Sequence, residues 1–131
     1  MDDLMQFLRD RLTEDEQIAR VASRPPWQRD YRAAFMHGIR DAAGRALVSD
    51  GLMKSQDVCH IVHHDPARVL REVEAKRGLL KRYEEPETSA ALSDSFNKLT
   101  ASVERTVLIE VFRHLALTYA DHPDYREEWR P

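Results

Sequence analysis

Residues 55–84 read SQDVCHIVHHDPARVLREVEAKRGLLKRYE, and the pair Asp65-Pro66 in their middle decides how the chain is built. An aspartate accepts hydrogen bonds from the free N–H groups of a first helical turn, and a proline at the first helical position lacks only a donor that would have no partner there. The pair therefore ends one short helix, capped at Ser55 and running through Val58, Ile61 and Val62, and opens a second. In that second helix Val69, Leu70, Val73, Leu80 and Tyr83 share a stripe, and Glu72 and Lys76 stand four apart as a favourable ion pair. Gly78 costs such a helix about 1 kcal/mol relative to alanine, which simple tolerance explains better than a neighbour's close approach.

Upstream, Leu4, Phe7, Leu8, Leu12 and Ile18 recur at helical spacing over residues 1–22, with charged residues on the opposite face. Thr13 and Glu16 have the spacing of a capping box that could restart the helix, but one continuous helix is the simpler reading. Pro25-Pro26 cannot continue it, and Trp27 behind them reads as a core anchor for the turn. Over residues 29–50, Tyr31, Ala33 and Phe35, then Asp41 to Arg45 with Gly44, then Ala46, Leu47 and Val48, resemble two short strands around a turn. The competing reading is a helix from Arg29 to Ala43 ended by Gly44, and Asp50-Gly51 marks a further turn in either case.

Downstream, Glu84 to Glu87 with Pro86 make a polar break, and Thr88 or Ser89 is placed to cap a long helix over residues 88–120. Leu92, Phe96, Leu99, Val103, Val107, Val111 and Leu115 run along it, widened near its end by Leu108, Ile109 and Phe112. The wide part implies burial, whereas the narrow N-terminal seam implies contact with one partner, such as a second copy of the chain. In the tail, 121–131, Tyr125 and Trp129 are large enough that burying them stabilises by a few kcal/mol, so the tail is expected to dock on the core.

At 131 residues the chain has the length of one domain, 1–131. Its 33% charged residues with only 4 Gly fit amphipathic helices, so the expected fold is mainly α, four to five helices with a short β-hairpin between the first and second. A net charge of -3 gives no global attraction to nucleic acid. One cysteine, Cys59, allows no internal disulfide, and neither a membrane-length apolar stretch nor a signal-like N-terminus stands in the sequence, so a cytoplasmic protein away from membranes is expected.

Three blocks of sequence carry a resemblance. They are Asp2-Asp3-Leu4 with Phe7-Leu8-Arg9 and Arg11-Leu12, then His60-Ile61 with His64 to Leu70 and Glu72 to Arg77, and last Leu115-Ala116-Leu117 with Tyr119 to Tyr125. In these the chain resembles a family of small proteins of unknown function found in actinobacteria and their phages. The resemblance implies that origin and carries no activity. Where those relatives have a proline and cysteines before the last block, this chain has Thr118 and no cysteine, so a Cys ligand beside His122 is ruled out here.

Three sets of residues could carry function. His60 and His64 stand one helical turn apart beside Asp65, the start of a divalent-metal site for a metal-binding protein or metal-dependent enzyme, although helix capping and packing explain the same residues. The HExxH pattern is absent, since Ile61 follows His60. Arg68, Arg71 and Arg77 could meet the phosphates of a nucleic acid, but Glu72 and Glu74 offset them. Leu92, Phe96, Leu99 and Val103 form the seam for a protein partner or a homodimer. No reactive constellation stands out, so the expected function is a non-enzymatic interaction or regulatory protein of phage or mobile-element type, without a cofactor, that associates with itself.

Overall fold

The computed structural model describes residues 1–30, 38–48, 53–85 and 95–131. Among them the order of elements is α1 (Asp2–Val21), β1 (Gln28–Asp30), β2 (Gly38–Arg40), β3 (Ala46–Val48), α2 (Ser55–His63), α3 (Pro66–Glu84), α4 (Ser95–Leu117) and a 3-10 turn (Glu127–Trp129). The fold is mainly α with a small antiparallel sheet. None of the described helices is long and apolar enough to cross a membrane. The chain divides into two compact units, one of residues 1–13 and 75–131 and the other of residues 14–74, so that α1 and α3 each contribute to both.

The first unit is built around the start of α1, where Leu4, Met5, Phe7, Leu8 and Leu12 are buried on one side of the first three turns, whereas Ile18, expected in the same row, is 62% exposed. Phe7 meets Trp129 at 5.0 Å between ring centroids and Tyr119, Tyr125 and His122 at 5.8 to 6.2 Å, and Trp129 is only 8% exposed. The tail thus folds back onto this unit through aromatic contacts, and Arg126 donates to Asp3 at 2.7 Å. Leu108, Phe112 and Ala116 bury one face of α4, and Tyr83 of α3 stands edge-on to Phe112 at 5.5 Å. Arg82 pairs with Glu104 at 2.7 Å and Arg105 lies 4.3 Å above the Tyr83 ring, so both charged neighbours lie on the α3 side of α4. Lys76 lies over the Tyr119 ring at 5.9 Å.

The second unit holds the sheet, in the order β1-β2-β3, all antiparallel. Arg29 faces Ile39 across β1 and β2, and Ile39 faces Val48 across β2 and β3, with a register shift between Ile39 and Arg40. Central Ile39 is fully buried, and α2 packs on β1 and β2 with Val58 inside. Gly38 is required here, because a Cβ at that position would sit 2.7 Å from the Val48 carbonyl oxygen. The β2–β3 turn is organised by Asp41, whose Oδ1 accepts the N–H groups of Ala43 and Arg45 at 3.0 and 2.9 Å, with Gly44 at φ 79°. Arg40 ties the strands by donating to Asp30 and to the Gly44 carbonyl, both at 2.6 Å.

Several local expectations change. A helix over Arg29 to Ala43 is ruled out, since Gln28–Asp30 and Gly38–Arg40 are strands. The hairpin around Gly44 is present but begins at Gly38, and Tyr31, Ala33 and Phe35 lie outside the described residues, as do Asp50-Gly51, Thr88 and Ser89. At α2 the capping position belongs to Lys54, and Ser55 is the first helical residue; its hydroxyl accepts from Arg29 instead of capping the helix. α1 runs unbroken through Thr13, whose hydroxyl donates to the Arg9 carbonyl one turn back at 2.8 Å, an internal partner that removes the need for a restart.

Candidate functional site

Asp65 does the work its sequence position suggests. It is 8% exposed, its Oδ1 accepts the Arg68 N–H at 2.9 Å as the N-cap of α3, and its Oδ2 accepts the Trp27 N–H at 3.3 Å. Trp27 is pinned a second time by donating its indole N–H to the Ser23 carbonyl at 2.9 Å. One carboxylate thereby joins the start of α3 to the segment after α1.

His60 and His64 are brought together as their spacing predicts, with ring centroids 4.6 Å apart, and His63 stands 5.7 Å from His64. Desolvation, reinforced by the Arg68 guanidinium and the two neighbouring histidines, pushes the His64 pKa below the ordinary histidine range. Two imidazoles are half of a zinc site. Among the described residues no three His, Cys, Asp or Glu side chains converge on a point where an ion could sit.

The three arginines part company. Arg68 and Arg71 lie in the second unit, while Arg77 belongs to the first and donates to Thr13 Oγ1 at 3.4 Å. The mixed charges of α3 form ion pairs, Arg68 with Glu72 and Arg82 with Glu85 and with Glu104 of α4, and the hydrogen bonds that Arg82 donates to Glu104 and Glu85 raise its pKa. Sequence reasoning missed Arg29. From β1 it donates to the Cys59 sulfur at 3.2 Å and the Ser55 hydroxyl at 2.8 Å, joining the sheet to α2. No local signal marks it, because a three-residue strand has no periodicity to read.

On α4 the seam residues are in the open. Phe96 is 71% exposed, Leu99 64%, Val103 54% and Val107 55%. Leu92 lies outside the described residues. At 100° per residue these four fall on the side of α4 opposite Arg105, Leu108 and Phe112, which face α3 or the core, with Glu104 at the flank between them. α4 is therefore apolar on two faces, one buried against its described neighbours and the other exposed. Val107, the next residue of the same stripe after Val103, continues the exposed seam.

A profile for a family of unknown function, DUF6221, matches residues 1–131, and the chain belongs to that family. No curated protein and no solved structure matches it significantly.

Proposed function

We propose that this protein is a non-enzymatic interaction protein that pairs with a second copy of itself through the open face of α4, in the cytoplasm of an actinobacterium or of a phage-infected one. The exposure of Phe96, Leu99, Val103 and Val107 in one row carries this reading. Four large apolar groups at a spacing of three or four residues are the pattern of a helix seam, and leaving them in water forgoes several kcal/mol of burial.

Lys98 and Arg105 lie on the other side of α4 and Glu104 at the flank, so the face of the row, bordered by Thr100 and Thr106, carries its first acid at Glu110. A parallel pairing would set Glu110 against its own copy. An antiparallel pairing separates the two acids and lays Leu99 beside the partner's Val103, so we favour the antiparallel form.

Disulfide cross-linking tests it in a Cys59→Ser background. Mixed chains carrying Leu99→Cys and Val103→Cys are expected to cross-link to one another faster than either does to itself. Faster cross-linking of like with like would establish a parallel pair instead, and no cross-linking above that of an exposed cysteine elsewhere would overturn the seam.

A further inference from the structure

The second unit holds an open hollow of roughly 500 Å³ where three elements meet: Arg29 from β1, Cys59, Val62 and His63 from α2, and Arg68 and Arg71 from α3. The spacing puts each set on one helical face, with residues 59, 62 and 63 on α2 and residues 68 and 71 on α3. Three arginines, one from β1 and two from α3, therefore line a shared space, although the sequence sets the first of them some forty residues from the other two.

Two of the three are held in place. Arg29 is fixed along α2 by the Ser55 hydroxyl and the Cys59 sulfur, and Arg68 by Glu72 and by the His63 carbonyl at 3.3 Å. Arg71 also lines the hollow and has no hydrogen bond or ion pair among the described residues. The one carboxylate on the lining, Asp65, directs its oxygens to the backbone N–H groups of Trp27 and Arg68. Guanidiniums held in advance lose little freedom on meeting an oxyanion, and a forked donor matches phosphate oxygens two at a time.

We propose that this hollow binds a single phosphate group carried on a small organic molecule, with Arg71 as the principal contact and Arg29 and Arg68 completing the cradle. A divalent cation is the wrong sign for such a lining. A nucleic-acid backbone needs cations repeated along a track, whereas these surround one space. Val62 and the Cys59 thiol supply the apolar contact for the organic body. The site is separate from the α4 seam, so either proposal can fail alone.

The test is a titration of the full-length, isotope-labelled chain with inorganic phosphate and then glycerol 3-phosphate, at constant ionic strength, read from amide and arginine side-chain NMR signals. Saturable shifts are expected at Cys59, His63, Arg68 and Arg71, with tighter binding of the organic phosphate. Arg71→Gln is expected to weaken binding about tenfold, the loss of one charge-assisted contact, with Arg71→Lys recovering part of it and Arg126→Gln changing nothing. Shifts that chloride reproduces, or affinity untouched by Arg71→Gln in a folded variant, would overturn the proposal. Binding of a short oligonucleotide without binding of either phosphate probe would overturn it too.

Discussion

Gly38 and Asp41 hold the β2–β3 hairpin by opposite means, one by having no side chain and the other by using its side chain fully. With only 2.7 Å between a Cβ at position 38 and the Val48 carbonyl, Gly38→Ala must push the strands apart, and a loss of about 2 kcal/mol or more is expected in urea unfolding. Asp41 is 4% exposed, and the backbone hydrogen bond from Arg45, against the opposing effect of burial and aided by the Arg45 side chain, holds its carboxyl below the ordinary carboxylate range. A folded pKa below the unfolded one means that the ionised form stabilises the fold above the unfolded value and that this contribution fades as pH falls through the folded one. Asp41→Asn is therefore expected to unfold more easily at neutral pH, with its gap from the wild type closing below about pH 4. The position of the turn is legible in the sequence, from Gly44. The roles of Gly38 and Asp41 are not, because each depends on a strand partner or a buried carboxylate that only the tertiary fold supplies.

Helices reveal themselves where caps and stripes agree. Asp65-Pro66 marks the α2–α3 junction to the residue, and the apolar row of α1 marks the helix that buries it. Ser55 misleads because its hydroxyl is taken by Arg29, a partner far away in sequence. Gly78 on α3 meets nothing within 4 Å of where a Cβ would stand, so tolerance rather than close approach explains it. Gly78→Ala is accordingly expected to stabilise the chain by about 0.5–1 kcal/mol, measurable as a raised thermal midpoint. The 3-10 turn of the tail behaves in the opposite way. Trp129 is buried against Phe7, and Trp129→Ala is expected to cost about 3–5 kcal/mol and to expose the amides at the start of α1 to faster hydrogen exchange.

At the scale of the whole molecule, Ile18 and Val21 stand exposed near the end of α1, and the longest exposed apolar row among the described residues is the one on α4, which the proposed function explains. Phe96, Leu99 and Val103 are legible in the sequence as a narrow seam, and Val107 continues their stripe. That it stays uncovered was not legible, since periodicity reports an apolar face and not what lies against it. The phosphate hollow was less legible still: Arg68 and Arg71 are visible on one helix, but Arg29 joins them only through the β1–α2 contact. The most direct test of self-association is sedimentation equilibrium of the untagged chain beside its Leu99→Asp variant at tens of micromolar. The account predicts a dimer for the wild type and a folded monomer for the variant. A wild-type monomer at that concentration, or a dimer that the substitution leaves intact, would contradict it.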